Sequence, residues 1–100
     1  FNPDELKLLN NVIRYLAGII PEGCRNSLSV YTLNMILQYF SKAAKVYDKN
    51  KTVEFFRDNL SDYIFQVAVA ANVSKKSIKD WIKISLLKYK RYRALWYLMK

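Results

Sequence analysis

From Cys24 to Lys100 the chain contains neither glycine nor proline. A stretch that long without a backbone breaker favours helices over a turn-rich sheet. The apolar spacing agrees. Leu6, Leu9, Ile13, Leu16 and Ile20 recur at intervals of three and four, as one face of a helix requires. Asn2 reads as the cap of this first helix, Pro3 as its first residue, and Glu5 completes a capping-box-like pattern. The helix is expected to run to about Ala17, with Gly18 as its breaker. Pro21-Glu22-Gly23 then reads as a tight turn.

Asn26, Ser27 or Ser29 is expected to cap a second helix. Its stripe is Val30, Leu33, Ile36, Leu37, Phe40 and Ala44. Tyr47 to Lys51 reads as a loop. Thr52 is placed as the cap of a third helix with Val53, Phe56 and Leu60 inward, and either Ser61-Asp62 opens a fourth or the third simply continues. Asn72 and Ser74 punctuate the chain before a final helix from about Lys75 toward the end. The fold class is all-α: a single compact bundle of four to five helices across residues 1–100, with room for a helix-turn-helix-like pair. The chain opens on Phe1, so it is expected to be a fragment of a larger protein. The longest uncharged run, Asn26 to Ser41, is too polar for a membrane span, so the expected setting is cytoplasmic.

Composition excludes several chemistries. With no His and one Cys among 100 residues, there is no imidazole-based triad or zinc site, and no internal disulfide. Two glycines cannot supply a dinucleotide-binding fingerprint. Gly18 to Gly23 copies the glycine spacing of a phosphate-binding loop. However, Cys24-Arg25 stand where Lys-Ser/Thr are needed, and a helix precedes the segment where a strand should. Cys24 lacks a partner and reads as a buried or half-buried small residue. No catalytic group and no metal site are expected in this fragment.

The charge is concentrated at one end. The chain carries a net charge of +9. Residues 1–73 hold eight basic and seven acidic side chains, whereas residues 74–100 hold nine basic and one acidic. Almost all of the excess therefore lies in the last quarter, which is the electrostatic footprint of a polyanion binder. A solvated basic face is the plainer alternative. Aromatic rings interleave with the cations in Lys88-Tyr89-Lys90-Arg91-Tyr92-Arg93 and at Trp96-Tyr97. Rings stack on bases while cations hold phosphates, although rings at helical spacing are also ordinary core residues.

Two further patterns bear on binding. Val67 to Ile82 resembles a helix-turn-helix. Ala68 allows close helix approach, Asn72 tolerates the turn, Val73 plugs it, Ser74 caps the second helix, and Ile78 and Trp81 face the core. That helix would present Lys75, Lys76, Ser77, Lys79 and Lys83 to DNA. Separately, Arg25, Asn26 and Ser27 stand where a helix begins, and free backbone N–H groups there favour anions. An ordinary turn and cap would use the same residues.

Pro21-Glu22-Gly23-Cys24-Arg25-Asn26-Ser27-Leu28, after the helical Tyr15-Leu16-Ala17-Gly18, resembles the Glu-Gly-x-Arg-Asn-x-x-Leu signature of primase C-terminal helical domains. The Lys-, Tyr- and Ile-rich character also resembles proteins of thermoacidophilic archaea. Together these point to the helix-bundle domain of an archaeal plasmid replication primase-polymerase. The resemblance implies an accessory domain that binds single-stranded DNA template and ATP or another nucleotide as primer synthesis begins. The carboxylates of the nucleotidyltransferase would lie in the catalytic domain of the same chain, so this fragment is expected not to be an enzyme. Arg25 and Asn26 match the signature's polar positions, and Ser27 adjoins them as a third phosphate candidate. Lys88, Tyr89, Lys90, Arg91, Tyr92, Arg93 and Trp96 come from the charge reading. The alternatives are a helix-turn-helix domain on duplex DNA and a protein-interaction bundle with a basic docking helix.

Overall fold

The computed structural model describes residues 1–73 and 77–99. Among them are six α-helices: α1 (Glu5–Ile19), α2 (Arg25–Val46), α3 (Lys49–Asn59), α4 (Asp62–Val69), α5 (Ile78–Lys88) and α6 (Tyr92–Met99). A short 3-10 turn over Glu22–Cys24 leads into α2, and the described residues hold no strand. The chain is an all-α bundle with a radius of gyration of 13.2 Å, about the size expected for a compact domain of this length.

Each helix end has a local chemical cause. Asn2 is not the cap of α1 and Pro3 is not its first residue: the helix opens at Glu5 with Asp4 at the cap position, and Asn2 accepts from the Asp4 amide at 3.0 Å in the turn before it. Gly18 does not end that helix. It lies inside α1, and the helix stops at Ile20, which is extended at φ −78°, ψ 150°. The following Pro21 disfavours the helical region for Ile20, and so it supplies the stop. Thr52 is not the cap of α3. Asp48 is, its carboxylate accepting from the Lys51 amide at 2.8 Å. Thr52 lies buried one turn into the helix, donating to the Asp48 carbonyl at 2.8 Å. The expected loop over Tyr47–Lys51 is thus half helix. Ser61 caps α4 as its position implies, accepting from the Ile64 amide at 3.3 Å.

The final helix expected from Lys75 onward is two helices. Lys90 adopts a left-handed backbone at φ 55°. Its amide donates to the Leu87 carbonyl at 3.0 Å, and the Arg91 amide donates to the Leu86 carbonyl at 2.8 Å. This is the Schellman pattern that closes a helix C-terminus, with lysine at the position glycine usually takes. The chain then turns and resumes as α6.

The central helix is α2. Leu33, Ile36, Phe40 and Ala44 of its stripe are buried, and so are Thr32, Tyr39 and Ala43. It packs against α1, α3, α4 and α6. Phe40 and Phe56 are fully buried with ring centroids 4.7 Å apart, and Tyr92 packs within 6.3 Å of both. Each such ring contributes about 2–3 kcal/mol through removal of apolar surface from water. α5 is peripheral: its main neighbour is α6, and its one fully buried side chain is Leu87.

The helix-turn-helix expectation needs correction on three points. α4 ends at Val69 and α5 begins at Ile78, so the connection exceeds the three or four residues of that turn. Ala68 is fully buried, but α4 packs chiefly on α2. Ile78 and Trp81, expected to face the core, are 81% and 62% exposed. Ser74, the expected cap, lies outside the described residues. Ser77 caps α5, accepting from the Asp80 amide at 3.2 Å. Cys24 is exposed rather than buried. No helix among the described residues is long and apolar enough to cross a membrane.

Candidate nucleic-acid interface

The basic element folds into a corner formed by α5, the Tyr89–Arg91 turn and α6. Lys79, Lys88, Lys90, Arg91 and Arg93 are exposed, and Lys83 is half-buried. None of these six cations forms an ion pair within the described residues. Lys90, Arg91 and Arg93 line one depression of about 340 Å3 against Val53 of α3. The left-handed turn at Lys90 separates this group from Lys88, which lines the groove beside Tyr89 instead. Lys90 also holds its ammonium 4.8 Å from the centroid of the Phe65 ring. Lys75 and Lys76 lie outside the described residues, and Ser77 is occupied as the α5 cap.

The aromatic candidates divide. Tyr89 is 69% exposed at the corner, with the Lys88 ammonium 5.9 Å from its ring centroid. Tyr92 is a core residue, 7% exposed and packed against Phe40 and Phe56, so although it borders the Val53 depression it has little ring surface to offer a ligand. Burial, then the Asp62 carboxylate, push its phenol above the usual tyrosine value. Trp96 is half-buried, and its indole Nε1 donates to the Tyr47 carbonyl at 3.3 Å. The reason is the same for both rings. α6 lies between α3 and α5, so the positions that carry Tyr92 and Leu95 must fill the core.

The Arg25-Asn26-Ser27 turn behaves differently from an open anion cradle. Arg25 Nε lies 3.3 Å from Glu22 Oε2, with both side chains largely solvated. Such an exposed pair contributes little to stability and opens readily. Ser27 is exposed. Asn26 does not cap α2 as expected. It lies in the first turn, where its carboxamide donates to the Asn72 carbonyl at 3.1 Å and accepts from the Asn72 amide at 2.7 Å. That reciprocal pair fixes the start of α2 to the segment that follows α4.

Asn72 also borders a groove of about 350 Å3 between the α4–α5 connection and α5, lined by Val73, Trp81, Ile84, Lys88 and Tyr89. The Asn26–Asn72 clamp therefore joins the two regions singled out in the sequence. The residue missed there is Trp81, placed inward on its spacing from Ile78. A signal existed. α5 carries two apolar stripes, Ile78-Trp81-Ile82 and Ile84-Leu87, and a helix with one main neighbour can bury only one. α1 shows the same surplus, with Leu8, Val12, Tyr15 and Ile19 exposed opposite Leu6 and Ile13. No three His, Cys, Asp or Glu side chains group to hold a metal among the described residues. Comparisons with protein-family models, curated proteins and solved structures give no match for this chain.

Proposed function

We propose that this chain is a nucleic-acid-binding helical module, the accessory domain of a replication primase-polymerase, that holds single-stranded template as primer synthesis begins. The observation that carries this reading is the run of exposed cations Lys88, Lys90, Arg91 and Arg93, which form no ion pair among the described residues, with the Lys88 ammonium beside the exposed Tyr89 ring. Phosphates neutralised there release counterions, while the ring takes a base face. The assignment to a primase rests on the resemblance of Glu22-Gly23-Cys24-Arg25-Asn26 alone. Leu28 falls one position before the leucine of that signature, where Ser29 stands. Under the same reading Arg25 and Ser27 hold a nucleotide's phosphates at the start of α2, with Asn26 shaping the turn. The catalytic carboxylates then belong to another domain of the parent protein.

Duplex binding through a helix-turn-helix has less support, because α5 exposes its apolar Ile78 and Trp81 and packs on α6 rather than α4. The test is fluorescence anisotropy with a single-stranded oligonucleotide and its duplex across a salt series. Single-strand preference is expected, with affinity falling steeply in salt. Arg91→Ala and Arg93→Ala should each reduce the slope of log affinity against log salt by about 0.7, one phosphate contact apiece. Residue-resolved NMR with ATP should shift Arg25 and Ser27. Salt-insensitive binding, or a strong duplex preference, would overturn the proposal.

A further inference from the structure

Trp81 has the geometry of a stacking platform that the charge pattern did not reveal. Its side chain is 62% exposed, and the ring lines two separate hollows. One is the groove of about 350 Å3 shared with Asn72, Lys88 and Tyr89. The other holds about 260 Å3 and is shared with Ile78, Ile82 and Leu86. The first is at the small end of ligand sites, which run from about 300 to 1,000 Å3. Tyr89 is 69% exposed on the same groove, eight positions along the helix, so both rings border one hollow. Lys88 is the charged side chain among the described residues that line this groove, and its ammonium lies 5.9 Å from the centroid of the Tyr89 ring.

An apolar ring left in water on a groove that also carries the Lys88 ammonium suits a ligand that is planar and anionic at once. A nucleotide unit of a single strand fits this description: base on ring, phosphate on cation. Bases stacked and paired within a duplex cannot turn a face to such a groove, so the site selects unpaired strands. We infer that Trp81 and Tyr89 stack unpaired bases of a single-stranded nucleic acid in the groove beside α5, with Lys88 holding an adjoining phosphate. This rests on the nucleic-acid reading above and adds the residues that hold the bases.

The experiment compares three probes: a single-stranded oligothymidylate, an abasic deoxyribose-phosphate chain of equal length, and anionic phospholipid vesicles. Tryptophan emission and binding are read for the native chain, Trp81→Leu and Tyr89→Ala. The exposure of both residues allows these changes without loss of fold, which a thermal melt would check. Oligothymidylate should quench emission in the native chain, and the quench should vanish in Trp81→Leu. Trp81→Leu should weaken oligothymidylate binding roughly tenfold or more, yet leave binding of the abasic chain unchanged. Equal, salt-sensitive binding of both nucleic-acid chains without quenching would overturn base stacking and leave the polyanion reading intact. Loss of all salt-sensitive binding would overturn both. An emission change with vesicles and none with oligothymidylate would assign the Trp81 face to a membrane surface instead.

Discussion

The Asn26 carboxamide clamps the backbone of Asn72, donating to its carbonyl at 3.1 Å and accepting from its amide at 2.7 Å across 46 residues of sequence. Two hydrogen bonds between exposed groups contribute about 1–2 kcal/mol together. Asn26→Ala should lose that amount in a urea titration. Amide exchange at Asn72 should accelerate by more than the global loss of stability accounts for. Asn72 borders the Trp81 groove, so oligonucleotide binding should weaken as well. Native protection at Asn72 in the variant would show that the clamp does not hold this segment.

Lys90 should tolerate glycine and resist branching. At φ 55° a non-glycine side chain costs about 1 kcal/mol. Lys90→Gly removes that cost and also loses the approach to Phe65, worth about 0.5–1 kcal/mol at an exposed site. The net change should lie between zero and a gain of about 0.5 kcal/mol. Lys90→Val should instead lose more than 1 kcal/mol, since a β-branched residue is strongly disfavoured there. Equal melting temperatures for the two variants would contradict the left-handed turn.

Tyr89 and Tyr92, three residues apart, should fail in opposite ways. Tyr92→Ala leaves a hole beside Phe40 and Phe56 and should cost about 3 kcal/mol of stability. Tyr89→Ala should change stability by no more than about 0.5 kcal/mol while weakening oligonucleotide binding. Urea titrations paired with anisotropy separate the two. A destabilised Tyr89→Ala that binds normally would remove Tyr89 from the interface.

Stability should fall on the alkaline side through two buried phenols. Burial first, then the charges of Glu5, Tyr47 and Asp4, raise Tyr39 from 10.0 to about 12. Its hydroxyl donates to the Asn2 carbonyl, a bond that only the neutral phenol can make. A phenol whose pKa is raised on folding favours the fold fully below the unfolded value. That contribution is lost as pH rises from about 10 through 12. The loss for Tyr39 is on the order of 2 kcal/mol, and Tyr92 adds to it in the same direction. Tyr39→Phe should flatten part of the decline in chemical-denaturation stability over that range. An unchanged slope in Tyr39→Phe would show that Tyr39 titrates normally.

How far the sequence could be read depended on the range of the interaction. Ser61 was legible as a cap because it bonds an amide three residues away. Leu33, Ile36, Phe40 and Ala44 were legible as a buried stripe because helical periodicity alone brings them to one face. Errors arose where two residues competed for one local role. Gly18 and Pro21 both offered to end α1, and the steric demand of Pro21 on Ile20 prevailed. Thr52 is the expected cap of α3, but Asp48, four residues earlier in the expected loop, takes that role.

By itself the sequence determined an all-α chain, the Ser61 cap and the gathering of cations into the last quarter. Each of these follows from composition or from contacts within about one helical turn. Only the tertiary structure decided that Tyr92 goes in and Trp81 stays out. α5 and α6 both carry more apolar positions than one face can bury, and the neighbouring helices choose which are covered. α6 lies between α3 and α5 and sinks Tyr92 against Phe40 and Phe56. α5 has α6 as its main neighbour, so Leu87 is buried and Trp81 is left in water on the groove it shares with Lys88.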